Sequence, residues 1–140
     1  MVRLEDRGFV RVESLTIQPV FDISFDRQEA EWWVCCVYAF KVGNEVLRMG
    51  KSERCCLSVR IDRWNRDVRR AIADKVEVPA CTSLEEAAEW EKALKQADGE
   101  FWAKRITPPN KELLRAEEKR LIREFCPRLC HDLPKERRST

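Results

Sequence analysis

The sequence predicts a mixed α+β fold in which a three-stranded antiparallel sheet is flanked by helices. Three features support this prediction: an aromatic and β-branched run at residues 32–40, and two apolar stripes of helical period, one starting at Leu57 and one ending at Phe125. With 140 residues, 44% of them hydrophobic, the chain is long enough for one domain with its own core. This composition excludes disordered and collagen-like proteins.

Residues 1–30 are expected to form an N-terminal extension that contains short strands. Residues 9–12 and 15–21, the second containing Pro19, have extended patterns that predict edge strands or an irregular segment. The run WWVCCVYAF at 32–40 then predicts a central, buried strand. The Gly-Asn pair at 43–44 predicts a tight turn into a second strand at 45–49, so the two strands form a hairpin.

The rest of the chain predicts a helix, a second helix, a strand and a third helix. Apolar residues recur every three or four positions through a first helix at 57–73, namely Leu57, Ile61, Trp64, Val68 and Ile72. Thr82 or Ser83, each followed three residues later by glutamate, predicts the start of a second helix at 84–97. A strand at 101–107 follows, and Asn110 can cap a last helix that ends near Phe125. The domain is expected to span 31–133, before a flexible polar tail at 134–140.

The charge distribution indicates one locally basic element. The chain has 27 basic and 25 acidic residues, and a net charge of +2 does not by itself indicate a nucleic-acid partner. Between Arg48 and Arg70, however, there are eight basic residues and only three acidic ones. No apolar run is long enough to span a membrane and the first residues lack a secretory pattern, so a cytoplasmic location is expected.

The seven cysteines are expected to be free thiols. Their number is odd and the expected compartment is reducing, which argues against a disulfide framework. Cys126, Cys130 and His131 could contribute to a zinc site, but the chain offers no clear partner pair for the four ligands that a structural site needs.

Glu118 is the most unusual residue of the last helix. It lies one turn from both Leu114 and Ile122, so helical spacing places its carboxylate on the apolar face. A buried carboxylate is costly unless it is paired or binds a metal. Two explanations remain open, a structural ion pair with a buried arginine and a functional carboxylate.

Three other features also have a structural and a functional explanation. Arg60, Arg63 and Arg70 share one side of the first helix, which is either a solvated basic face or a phosphate-binding surface. Tyr38 is the only tyrosine, and its hydroxyl indicates a partner or a task, since phenylalanine would pack equally well in a central strand. Gly50 ends the second strand, where the absence of a side chain lets a backbone or a phosphate approach closely.

Taken in order, these segments resemble the GIY-YIG nuclease domain over about residues 34–130. The triplet CVY at 36–38 stands where the family has Gly-Ile-Tyr, and RMG at 48–50 stands where it has Tyr-Ile-Gly. Lys-Ser at 51–52 matches the common continuation of the second motif, and Arg60 matches the family's arginine in the first helix. Glu118, with Leu-Ile three residues on and proline nine residues on, matches the C-terminal segment of excision-repair members.

The resemblance implies a metal-dependent endonuclease that hydrolyses phosphodiester bonds of DNA. Under this interpretation Glu118 binds one Mg²⁺ or Mn²⁺, and Arg60 neutralises charge in the transition state. Tyr38 would position or deprotonate the attacking water, Lys51 would lower the pKa of Tyr38 or hold the phosphate, and Arg48 would be a second phosphate clamp. Four more arginines are expected to bind nucleic acid: Arg54, Arg63, Arg66 and Arg70. Family members usually gain specificity from an attached domain, so here either residues 1–30 with the basic first helix, or a homodimer or a separate partner, is expected to supply it.

The departures from the family motif support an alternative class. Arg48 replaces a tyrosine, Cys130 replaces an asparagine, and Trp64 stands where members often have histidine or tyrosine. A guanidinium does not deprotonate in proteins, so Arg48 cannot serve as a general base. These departures favour a catalytically lapsed module of the same fold that binds nucleic acid or a protein partner. A third alternative is an α/β domain in which a Glu118–Arg60 pair is purely structural.

Overall fold

The computed structural model of the protein describes residues 2–16, 22–25, 32–74 and 84–129, which form an antiparallel sheet with helices on both faces. The strands are β1 (Val10–Thr16), β2 (Asp22–Phe25), β3 (Cys36–Val42), β4 (Glu45–Ser52) and β5 (Gly99–Arg105). The helices are α1 (Leu57–Asp74), α2 (Leu84–Gln96) and α3 (Lys111–Phe125), and a 3₁₀ turn at Leu4–Arg7 precedes β1. The predicted α+β class is confirmed. No helix within these ranges is long and apolar enough to cross a membrane.

The sheet has five strands, in the order β2-β1-β5-β3-β4, instead of the three predicted. The two additional strands come from the N-terminal segment: β1 pairs with β5 on one side and with β2 on the other. The prediction of only edge or irregular structure there is wrong for β1, which is an interior strand. The register aligns Val10 with Ala103, a pairing between distant segments that no local pattern reports. Residues 17–21, with Pro19, lie outside the described ranges.

The β3–β4 hairpin is confirmed, but its first strand begins later than predicted. β3 starts at Cys36, and the preceding Cys35 has φ +58°, a left-handed conformation that interrupts an extended chain. Trp32 is 72% exposed, so the prediction of a buried strand from residue 32 is wrong. Gly43 has φ +60° in the connecting turn, a conformation that favours glycine.

The ends of α1 and α2 lie within one residue of the positions predicted from the sequence. At the start of α3 the Asn110 side chain accepts a hydrogen bond from the backbone N–H of Leu113, at 3.0 Å, which confirms the predicted cap. At its end Cys126 adopts φ +47° and donates its N–H to the carbonyl of Ile122 at 2.8 Å. The capping residues predicted for α2, together with Cys130, His131 and the tail at 134–140, lie outside the described part of the chain.

Two apolar layers cover the sheet, because alternate residues of each strand point to opposite faces. On one face Phe40 and Phe101 pack against Trp90 of α2 and against Leu57 and Ile61 of α1. On the other face Val37 packs in a layer with Leu121 and its neighbours on α3. β4 lies at the edge of the sheet between these two layers, so its side chains can meet groups from both.

Ion pairs on the outer side of α3 attach this helix to the N-terminal turn and to β5. Arg7 donates to Glu124 at 2.7 Å, and Nε of Arg120 donates to Glu117 at 2.6 Å. Lys104 of β5 also donates to Glu117. The hydrogen bond from Arg120, followed by the bond from Lys104, lowers the pKa of Glu117 to about 2 against the opposing effect of burial.

We expect Glu117→Gln to lower the free energy of unfolding at pH 7 by about 1–2 kcal/mol and to have little effect near pH 2. Because the folded-state pKa is lowered, the ionised carboxylate stabilises the fold above pH 4.5, and this contribution is lost as the pH falls from 4.5 to about 2. Urea unfolding of both proteins across this range measures the difference. Glu85→Gln, at an exposed carboxylate of α2, is the control. A stability difference that stays constant with pH would contradict this expectation.

Candidate active site

The sequence-predicted site residues converge at the end of the β3–β4 hairpin opposite its turn. In the register of the two strands Tyr38 lies across from Gly50, and Val37 lies across from Lys51. Tyr38 packs with the layer under α1 and α2, so Gly50 shares that face, and the next residue, Lys51, points to the α3 side. The site is therefore built around the edge strand from both faces of the sheet.

Gly50 leaves the space that the Tyr38 side chain occupies. A Cβ atom built on Gly50 would lie 2.5 Å from the hydroxyl oxygen of Tyr38 and 2.6 Å from Cζ. The ring is also held on its other sides, since it stacks on Phe101 with centroids 5.7 Å apart and meets Phe40 edge-on at 5.8 Å. The group that approaches Gly50 closely is thus the Tyr38 ring of the neighbouring strand, and not a backbone or a phosphate as the sequence predicted.

Tyr38 is surrounded by charged groups from three elements. Burial is the main cause that raises the pKa of the Tyr38 hydroxyl. The positive charges of Arg48 and Arg60 and a hydrogen bond with Arg48 act in the opposite direction, while the carboxylate of Glu118 raises the pKa further. The hydroxyl therefore stays protonated near neutral pH, and these four side chains form one electrostatic neighbourhood.

Glu118 lies on the buried side of α3, as its spacing predicts. Its side chain belongs to a residue only 5% exposed, one turn from Leu114 and Ile122 of the apolar layer. Its Oε1 lies 3.5 Å from Nζ of Lys51, whose side chain is partly open to solvent. The ammonium group of Lys51 offsets part of the cost of burying this carboxylate.

Arg48 and Arg60 differ in burial and come from different elements. Arg48, from β4, is buried beside Tyr38. Arg60 lies in the first turn of α1, where its backbone N–H donates to the carbonyl of Cys56. Its side-chain Nε is buried and has no hydrogen-bond partner among the residues that the structure describes. A donor of this kind is available to an acceptor such as a phosphate oxygen.

A second ion pair lies next to Lys51 and Glu118 and escaped the sequence analysis. Arg115 of α3 donates to Glu53, just after β4, with Nε–Oε1 at 2.7 Å and Nη2–Oε2 at 3.4 Å. This hydrogen bond is the main cause that lowers the pKa of Glu53. The two pairs join the same two segments, the end of β4 and α3, and so hold Lys51 near Glu118. Glu53 and Arg115 are 62 positions apart, so no local pattern in the sequence reveals the pair.

The four arginines expected to bind nucleic acid lie outside this cluster. Each of them is exposed: Arg54, Arg63, Arg66 and Arg70. Helical spacing places the last three on one side of α1, where Arg70 lies 4.0 Å from Asp74. The structure thus separates a compact, partly buried group of five residues from an exposed basic side of the same helix.

The donor set fits a metal that is bound together with its substrate. Among the described residues, no group of three or more histidine, cysteine, aspartate or glutamate side chains is placed to hold a metal ion. Zinc in a structural site needs four such ligands. Mg²⁺, in contrast, is commonly held by one or two carboxylates, with waters and phosphate oxygens completing its shell. Glu118 has a carboxylate of the kind that such a shell uses.

A structural comparison finds a similar fold in bacteriophage T4 EndoII, solved as a glutamate-to-alanine mutant. The two chains are 19% identical and superpose with a TM-score of 0.56, over 89% of this chain and 92% of EndoII. At this identity the likeness shows a shared fold. No protein-family model and no curated protein matches the chain.

Proposed function

We propose that this chain is a metal-dependent endonuclease that hydrolyses phosphodiester bonds of DNA. The observation that carries the proposal is the buried carboxylate of Glu118, which lies 3.5 Å from the ammonium of Lys51 and acts on the same tyrosine as Arg60. The resemblance of the motifs to the GIY-YIG nuclease domain supports it. The similarity in fold to EndoII, whose name denotes an endonuclease, also supports it.

Glu118 would hold the metal, Mg²⁺ or Mn²⁺, and two cations would hold the phosphate. A divalent ion bound there supplies Lewis-acid chemistry, polarising a phosphate oxygen and stabilising the leaving group. Lys51, partly exposed beside Glu118, binds a phosphate oxygen. Arg60 donates from a guanidinium that has an unused buried N–H, and this donation stabilises the negative charge that grows in the transition state.

Tyr38 orients the attacking water through its protonated hydroxyl, and the proton that this water loses on attack passes to solvent. The raised pKa of Tyr38 favours this role over proton abstraction. Arg48 is buried and hydrogen-bonded to Tyr38, so it positions the tyrosine instead of clamping a second phosphate. The exposed arginines of α1 contact phosphates farther along the DNA, which adds affinity but no sequence preference. A second copy of the chain or a separate partner supplies target specificity.

We expect Arg60→Ala to lower the cleavage rate by about 100-fold or more and to reduce DNA affinity only slightly. The guanidinium acts mainly on charge that develops in the transition state, whereas ground-state binding rests on the other arginines. Single-turnover plasmid cleavage and fluorescence anisotropy with EDTA measure the two quantities separately. Arg69→Ala, at an exposed arginine on another side of α1, is the matched control. Equal cleavage rates for Arg60→Ala and the wild type would refute this role.

A catalytically lapsed module that binds nucleic acid or a protein partner is the second candidate function. The observation that favours it is the burial of Arg48 at the position where the family motif has a tyrosine, since a guanidinium cannot accept a proton. Under this alternative the buried charge of Arg48 positions Tyr38 and Glu118 to bind nucleic acid or a protein partner, without catalysis.

Plasmid relaxation with Mg²⁺, with Mn²⁺ and with EDTA tests the proposed function, together with Mn²⁺ binding followed by electron paramagnetic resonance. Nicking that requires the metal supports the endonuclease. The absence of both nicking and Mn²⁺ binding supports the lapsed module. Affinity for DNA that falls steeply with salt then separates that module from a domain with a purely structural ion pair, because phosphate contacts release counterions.

A further inference from the structure

Three exposed apolar side chains lie near the start of α1. Trp32 is 72% exposed, Val59 is 43% exposed and Val34 is 38% exposed. Single exposed valines are common on protein surfaces, but a tryptophan open over most of its area is costly unless it has a partner. We call these three residues the apolar patch.

A backbone hydrogen bond places the apolar patch beside the proposed active site. The N–H of Leu57 donates to the carbonyl of Trp33 at 3.0 Å, so residues 32–34 lie against the first turn of α1. That turn contains Val59 and, directly after it, Arg60. This segment leads through Cys35 into β3, which carries Tyr38, so the apolar patch lies near the end of the sheet that holds the proposed catalytic residues.

Trp33 anchors this segment while its neighbour Trp32 is left open. Trp33 packs against the core layer under α1 and α2. The guanidinium carbon of Arg105 lies 4.7 Å from the centre of its ring, at the distance of a cation–π contact. The backbone of residue 32 is thereby held next to a fixed residue, which limits the entropy that the Trp32 ring loses when a ligand stacks on it.

The charge next to the patch indicates which partner it fits. Val59 lies on the same side of α1 as Arg63, Arg66 and Arg70, which follow it at helical spacing and are all exposed. The exposed side of α1 that begins at Val59 of the apolar patch is thus a row of guanidinium groups. Phosphates alternating with flat, apolar base faces are complementary to such a surface, and aromatic side chains beside arginines are the usual platform for unpaired bases.

We propose that Trp32 stacks on an unpaired or unstacked base of the nucleic acid while the arginines of α1 hold the adjacent phosphates. The proposal rests on the proposed function, since it assumes that nucleic acid is the ligand. It adds a substrate preference: a strand with a single-stranded or extruded nucleotide next to the phosphate at the active site. In an intact duplex the base faces are already stacked on each other, so the Trp32 ring has no free face to cover.

The test measures binding of a fluorescein-labelled single-stranded 15-mer of dT and of a blunt duplex, in EDTA and at fixed salt, by anisotropy. We expect Trp32→Ala to weaken binding of the single strand about 10-fold, the loss of one base–aromatic stack, and to change binding of the duplex less than twofold. Trp32→Phe should recover most of the affinity. Leu113→Ala, at an exposed apolar residue of α3, should bind both ligands as the wild type does.

The proposal is overturned if the wild type does not bind the single strand, or if Trp32→Ala binds it as tightly as the wild type. An equal loss on both ligands also overturns it, because a stacking residue distinguishes free from paired bases. In the first two cases the apolar patch is left for a protein partner, and in the third Trp32 contacts nucleic acid without stacking on a base. Since EDTA prevents cleavage, the binding result is independent of catalysis. If the protein nicks DNA but its affinity for the single strand does not depend on Trp32, the proposed function stands and this inference is wrong. If the protein does not nick DNA but Trp32→Ala weakens single-strand binding as expected, this inference stands and the proposed function is wrong.

Discussion

Glu118→Gln is expected to abolish metal-dependent cleavage while leaving the fold and DNA binding intact. The amide has nearly the shape of the carboxylate, and its oxygen can still accept a hydrogen bond from Lys51, which lies 3.5 Å from the native Oε1. It is nevertheless a poor ligand for a hard cation, so the metal would no longer be held. The loss of Lewis-acid stabilisation, worth several kcal/mol, corresponds to a decrease in rate of about 1000-fold or more.

Three measurements on Glu118→Gln separate the metal site from the fold. Plasmid relaxation reports cleavage, Mn²⁺ titration reports the metal, and anisotropy in EDTA reports DNA binding. Glu117→Gln is the matched control, because this neighbouring carboxylate pairs with Lys104 and Arg120 on the outer side of α3. Cleavage and Mn²⁺ affinity should fall for Glu118→Gln alone. Cleavage by well-folded Glu118→Gln at the wild-type rate would exclude Glu118 as the metal ligand.

Gly50→Ala is expected to destabilise the protein by about 1–3 kcal/mol and to reduce cleavage at the same time. The new methyl group would lie 2.5–2.6 Å from the hydroxyl and Cζ of Tyr38, whose ring cannot turn away because Phe40 and Phe101 hold it. Alanine has the better strand propensity, but the whole propensity scale spans only about 1 kcal/mol. The clash therefore outweighs the gain in strand propensity, and the substitution destabilises the fold. A displaced tyrosine also misplaces the hydroxyl proposed to orient water.

A double-mutant cycle attributes this loss to the Tyr38 ring. In Tyr38→Ala/Gly50→Ala the ring is absent, so the second substitution should cost little, and the coupling energy should equal most of the clash. Tyr38→Phe/Gly50→Ala should show no such relief, because Cζ remains 2.6 Å from the new methyl group. Urea unfolding of the single and double variants measures these differences. Additive effects in the Tyr38→Ala cycle would show that Gly50 has another role.

The elements with local signals could be predicted from the sequence. α1 and α3 each have an apolar stripe that is repeated over several turns, and a capping asparagine marks the start of α3. Burial of Glu118 followed from the same periodicity, since its position relative to Leu114 and Ile122 depends only on the helix. The order of the motif residues also pointed to Tyr38, Lys51 and Arg60 before any contact was known.

Other features depend on which distant segments meet. β1 became an interior strand because it pairs with β5, nearly ninety positions later, and Trp32 became exposed because Cys35 turns the chain before β3. The role of Gly50 required its register opposite Tyr38. The pairing of Glu53 with Arg115 joins residues 62 positions apart. None of these contacts produces a periodic pattern in the sequence from which it could be predicted.

The sequence by itself determined the α+β class and the helices, because hydrophobic periodicity and caps act between residues a few positions apart. The order of its motifs also pointed to five residues of the candidate site. Only the tertiary structure decided how those residues are used. It placed Arg48 against Tyr38 in the interior and Lys51 beside Glu118, and it left Trp32 open at the edge of a basic helix. Burial and charge at a site are properties of the surrounding packing, and packing is set by contacts between segments that are far apart in the chain.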